Sequence, residues 1–173
     1  MKKVSLEDLR RVLETHKVWV ESEGQEGRRA NLSGTDLSEV DLSQVDLSEA
    51  DLSEADLRWA NLSEADLFEA ELYRTNLTRA DLSGANLSGA DLYGANFARA
   101  NLRRADLYGV EFAKANFTEA NLTGAHLTEA NLSGANLTGA DLRVVTAKGC
   151  WIHKTKFSSP KDRARLLMLG ARE

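Results

Sequence analysis

From residue 30 the chain sets out a small apolar, a polar, a large apolar and then two further polar positions. It repeats that order every five residues, without insertion or deletion, as far as residue 144. With the large apolar residue as centre, 23 consecutive units run from position 32 to position 142, carrying leucine at 20 centres and phenylalanine at Phe97, Phe112 and Phe117. Two positions earlier stands alanine in 18 units, and Asp or Asn fills the place between in 20. A period of five fits neither the 3.6 of a helix nor the 2 of an open strand. A mixed unit does fit: alanine in, Asp or Asn out and leucine in form a three-residue extended segment, and two polar residues turn a corner. Corners of one hand wind the chain into a polygon filled by leucine and alanine, with successive coils about 4.8 Å apart. Alanine beside each corner follows from crowding, because two large inward side chains per unit would overfill so narrow a tube.

The flanks change period. SLEDLRRVLETHKVWVESEG opens with Ser5 and, three residues on, Asp8, the pattern of a helix N-terminus. Leu6, Leu9, Leu13 and Val20 are expected on one helical stripe that ends at Gly24. At the other end SSPKDRARLLMLGARE offers Ser159 as cap, Pro160 at the first helical position, apolar Leu166, Leu167 and Leu169, and Gly170 as terminator. Open ends of a coil expose leucine and unpaired strand edges, so each helix is expected to lie over one end as a lid.

These units resemble the pentapeptide repeat family, whose consensus is A(D/N)LXX, over residues 30–157. The resemblance implies a right-handed quadrilateral β-helix with four units, hence 20 residues, per coil; periodicity alone leaves three sides open as well. With degenerate units centred on Ala147, Ile152 and Phe157, the tube should hold about six and a half coils and measure roughly 31 Å. The expected class is therefore β, a solenoid of residues 30–157 between an N-terminal helical cap (1–29) and a C-terminal helical cap (158–173). Four sides stack Phe97 on Phe117 and put Phe157 on the same side two coils later. Val40, Val45, Thr75 and Val110, which replace the small inward alanine, read as local repacking. In the family, C-terminal helices of this kind can mediate dimers, which leaves monomer and dimer both open.

Composition narrows the class. In 173 residues with a net charge of −5 there is one cysteine, Cys150, so neither an intramolecular disulfide nor a zinc site of four cysteines can form. No run approaches the roughly 18 apolar residues of a membrane span, and the start lacks an apolar signal core. A cytoplasmic protein without membrane attachment is the default expectation, and the modest acidity argues against direct nucleic-acid binding.

Chemistry finds little footing. Cys150 and His153 stand three apart, but the register turns Cys150 inward and His153 to a corner, with no second pair to complete a metal site. His126 takes an Asp/Asn place, and His16 lies in the first helix, neither beside a nucleophile or base. Carboxylates on a convex prism point away from one another, whereas acid–base catalysis needs convergence in a pocket. Gly84, Gly89 and Gly94 recur at corners and form no phosphate-cradling motif. No enzyme activity, small-molecule substrate, cofactor or metal is expected.

The outer surface remains. Residues 32–72 carry twelve acids against one base, Arg58, and residues from 143 onward carry eight bases against two acids. Folded into four columns, Asp51, Glu71, Asp91 and Glu111 form one ladder whose stacked like charges oppose folding mildly. Phe68, Tyr73, Tyr93 and Tyr108 project on the same or the preceding side. Acids beside outward aromatics suggest a docking patch for a protein partner. The resemblance also implies an alternative, since some family members mimic a DNA rod and regulate type II topoisomerases such as gyrase. Duplex DNA presents roughly six charges over the about 10 Å of two coils, and residues 32–72 exceed that density. The next two coils, however, are net positive, and the chain lacks the projecting loops of some such proteins. A flat ice- or mineral-binding face needs matched threonine ladders, and Thr118, Thr123, Thr128 and Thr138 do not share one side.

Overall fold

The computed structural model describes residues 1–173, the side chain of Lys2 excepted. Its backbone bridges join each Asp/Asn position to the one 20 residues on, always in parallel: Asn31 to Asp51, Asp51 to Glu71, Glu71 to Asp91 and so on to Trp151. Four units therefore close one coil. We number the sides by their first centres: side 1 begins at Leu32, side 2 at Leu37, side 3 at Leu42 and side 4 at Leu47.

The unit of residues 85–89 shows why this five-residue order folds. Its five backbone N–H groups all find acceptors, by three routes. Ala85 N donates to Leu82 O within the preceding corner (3.1 Å). Asn86 N donates back one coil to Ala65 O (3.0 Å), while Leu87 N and Gly89 N donate forward one coil to Asp106 O (2.8 Å) and Tyr108 O (2.9 Å). The fifth, Ser88 N, cannot reach a neighbouring coil and is taken by the side-chain Oδ1 of Asn86 at 3.1 Å. Asp or Asn is thus placed between Ala and Leu as an acceptor for the corner, since an uncompensated backbone donor is costly. The last residue of each corner has a left-handed φ of about +50 to +75°. Glycine adopts this freely, and Glu, Gln, Arg, Lys, Trp and Val are held there against their preference.

The core follows the expected pattern. The centres from Leu32 to Leu137 and the inward alanines are buried, and Phe97 and Phe117 stack at 4.9 Å and 4°. Phe112 packs edge-on to both. Thr75 is buried because its hydroxyl donates to Leu52 O of the coil below at 2.8 Å. Phe157 is half-buried against the last coil.

Both ends carry a rung that the repeat does not announce. Strand β1 (Lys2–Lys3) pairs in parallel with β2 (Thr35–Asp36) on side 2 of the first coil. Helix α1 (Leu6–Glu21) follows, with the Ser5 hydroxyl oxygen accepting from Asp8 N. Its inward residues correct the expected stripe: Leu9 and His16 are buried, while Leu6 is 76% exposed. His16 wins the place because its Nδ1 accepts the N–H of Ala30, the first residue of the solenoid, at 3.1 Å. After α1 the chain doubles back so closely that a side chain on Gly27 would meet the Thr15 carbonyl. At the far end β3 (Asn136–Leu137) pairs with β4 (Lys156–Phe157). Helix α2 (Pro160–Met168) buries Leu166, leaves Leu169 exposed, and returns Arg172 to a rung beside Trp151. No described helix is long and apolar enough to cross a membrane.

Candidate functional site

Because every centre points inward, only the Asp/Asn places and the corners can meet another molecule. Asp51, Glu71, Asp91 and Glu111 do form one ladder on side 1. Tyr73 and Tyr93 lie beside it, one coil apart, with rings stacked at 5.8 Å and 10°. Phe68 and Tyr108 project from side 4, 42% and 49% exposed. Tyr108 leans on His126 (6.0 Å), whose Nδ1 lies 3.1 Å from Asp106 Oδ1.

The ladder is less bare than the columns suggested. Arg29 pairs with Glu71 at 2.7 Å across 42 residues of sequence. Glu111 accepts from the Asn131 amide at 2.8 and 2.9 Å, and from Ala113 N. Arg74 lies over the Tyr73 ring at 4.9 Å and Lys114 over Tyr93 at 5.2 Å. Glu71 and Glu111 are therefore relieved by a cation and an amide donor, while Asp51 and Asp91 accept only from the corner N–H groups of Ser53 and Tyr93, and the patch mixes acids, stacked phenols and cations.

Elsewhere the side chains are occupied structurally. Cys150 is buried, and burial, with a smaller push from Glu129, raises its thiol to about 12, so no thiolate forms near neutrality. His153 is exposed at its corner. Among the described residues no three His, Cys, Asp or Glu side chains are grouped to hold a metal ion.

Sequence reasoning passed over a second surface, at the corner that follows side 2. In each of the other three columns of corners long residues lean over a glycine one coil later, as Glu69 does over Gly89 and Arg104 over Gly124. The corner after side 2 instead runs Glu39, Trp59, Arg79, Arg99 and Glu119, with no glycine until Gly139. From Glu39 to Arg99 these side chains have no glycine one coil later to lie over. Arg79 stacks on Trp59 at 4.4 Å, Arg99 pairs with Glu119 at 2.7 Å, and Ala98 floors a groove of about 510 Å³ between them. Comparing corners 20 residues apart, once four sides are chosen, exposes this run in the sequence.

Comparison with known proteins agrees with the geometry. Pentapeptide repeats match in eight copies, over residues 28–63, 46–84, 70–109 and 105–143. Among solved structures, HetL of the cyanobacterium Nostoc sp. strain PCC 7120, a pentapeptide repeat protein involved in heterocyst differentiation regulation, is 34% identical. That match covers 73% of this chain and 71% of HetL, with a TM-score of 0.44. Rfr23 of Cyanothece 51142, a pentapeptide repeat protein, is 29% identical over 84% of this chain and 99% of its own, at a TM-score of 0.33. QnrB1, a plasmid-mediated fluoroquinolone resistance protein, is 17% identical over 82% of this chain and 90% of its own, at 0.37. No curated protein sequence matches. The superpositions are too loose to carry an argument, so the assignment rests on the repeat matches, which span well over half the chain, and on the 20-residue bridge register. The chain belongs to the pentapeptide repeat family, and its fold is the right-handed β-helix of that family.

Proposed function

We propose that this protein is a non-enzymatic interaction scaffold that presents the acidic and aromatic face of sides 4 and 1 to a protein partner. The observation that carries the reading is the stacked Tyr73–Tyr93 pair along one edge of the carboxylate ladder, with the exposed Phe68 and Tyr108 along the other. Aromatic side chains already ordered on a rigid support lose little conformational freedom on binding, which favours them as anchors. The filled interior of the coils leaves recognition to the convex surface.

In this reading residues 30–157 form the presenting rod, and residues 1–29 and 158–173 are its lids. β1 and the rung at Arg172 occupy strand edges, and α1 and α2 cover leucines, which favours a rod that does not grow end to end. The alternative, a DNA-mimicking regulator of a type II topoisomerase, draws on the twelve acids of residues 32–72. Pairing of Glu71 with Arg29 and of Asp56 with Arg58 lowers the effective charge of that segment and makes this reading the weaker one.

The test replaces Glu71 by Gln, Asp91 by Asn, which keeps the acceptor for Tyr93 N, and Tyr73 and Tyr93 by alanine, and compares affinity capture from the native organism. The scaffold reading expects partners held by the wild type to be lost while thermal unfolding stays nearly unchanged. Unaltered capture dismisses the face.

A further inference from the structure

We propose that the corner after side 2, one corner on from the stacked tyrosines, is a second docking groove, and that it takes a short acidic segment of a protein partner. Three observations converge on it. Five successive corner residues, from Glu39 to Glu119, keep left-handed φ values of 59–62° without one glycine, so backbone strain is retained at every coil where a side chain stands out. Trp59 is 54% exposed yet held in place by the guanidinium of Arg79, which makes a rigid aromatic wall. Arg58 and Arg99 are tied to Asp56 and Glu119, whereas Arg79 has no ion-pair partner among the described residues, is exposed, and lines the groove with Ala98.

The charge order along the groove selects the occupant. From the N-terminal end it runs aromatic, cation, cation, anion: Trp59, Arg79, Arg99, Glu119. A carboxylate reaching Arg79 meets a guanidinium that attracts Glu119 from a distance but forms no ion pair, and a second can compete with Glu119 for Arg99. A long polyanion such as duplex DNA would run on to the acid-rich coils of residues 32–72, where it is repelled. A segment two coils long, about 10 Å, escapes that repulsion. This surface is independent of the tyrosine face and would let one rod bridge two partners.

Fluorescence anisotropy of a fluorescein-labelled hexaglutamate peptide at 50 mM NaCl tests the groove. Saturable binding is expected, weakened at least tenfold by Arg79→Glu and several-fold by Trp59→Ala, and lost at 500 mM NaCl. The quadruple variant of the tyrosine face should bind the peptide as the wild type does, which separates this inference from the proposed function. If Arg79→Glu melts early, Arg79→Gln, which keeps the bulk of the corner, gives the same reading. No saturable binding, binding as tight as the wild type's by both Arg79 variants, or tighter Arg79-dependent binding of a 12-base-pair duplex overturns the proposal.

Discussion

Arg143 folds back along its own unit to grip Asp141, its Nε donating to both carboxylate oxygens at 2.9 and 3.0 Å and its Nη2 to Oδ2 at 2.6 Å. The same Asp-Leu-Arg order produces the same fork at Asp56 and Arg58. An arginine one place after the centre therefore clamps the carboxylate that already caps the corner. The Arg143 hydrogen bonds, more than any other cause, bring Asp141 down to about 2 from its ordinary 3.8. A lowered carboxylate stabilises the fold above its unfolded value and loses that contribution as pH falls from about 4 towards 2. Arg143→Gln should melt slightly below the wild type at pH 7, and thermal unfolding at pH 2 should show the two curves nearly merged.

Asn86 sits between Asp66 and Asp106 on side 4. It caps Ser88 N and donates its amide to Asp66 Oδ1 at 3.0 Å. Asn86→Asp keeps the cap, removes the donor and stacks three carboxylates at coil spacing. The variant should lose about 1 kcal/mol at pH 7 in urea unfolding and regain most of it near pH 3. Equal stability at both pH values contradicts the ladder.

Val144 is a β-branched residue held at φ 60° and 74% exposed, so its side chain gains little that offsets the strain. Val144→Gly should raise the unfolding free energy by about 0.5–1 kcal/mol, the relief of strain exceeding glycine's greater entropy loss. Chemical denaturation of the two proteins checks the sign.

Much of this structure can be read from residue order. The inward leucines, the stacked Phe97 and Phe117, and the buried Cys150 follow from a period of five once four sides are counted. Other features are beyond periodicity. That Asp or Asn serves each corner as an acceptor depends on a backbone donor that only a hydrogen-bond account reveals. His16 was passed over because a stripe of leucines favoured Leu6, whereas a polar contact to Ala30 N decided which face turned inward. The two-residue rung at Lys2–Lys3 and the single bridge at Arg172 carry no repeat to detect. Arg29 reaches Glu71 from outside the repeat, so no column count could have neutralised that acid.

His16 offers a pH test of the N-terminal helix. Its burial, more than any neighbour, holds the imidazole below the usual 6.5, with Asp46 and Glu49 opposing and Arg29 reinforcing that shift. As a hydrogen-bond acceptor for Ala30 N it must be unprotonated at Nδ1. The unfolded chain binds the proton more readily, so stability is full above about pH 6.5 and declines as pH falls below it. His16→Ala should cost about 2–3 kcal/mol at pH 8, through the cavity and the orphaned Ala30 N–H, and should lack this decline. Amide exchange at Ala30 and in α1 across pH 5–8 reads both effects.

The measurement closest to the central claim is hydroxyl-radical footprinting of the protein alone and with its captured partner. Recognition by the outer face of sides 4 and 1 predicts protection of Phe68, Tyr73, Tyr93 and Tyr108, with Trp151 and Met168 unchanged. Full reactivity at those four aromatics in the complex, with protection elsewhere, contradicts it.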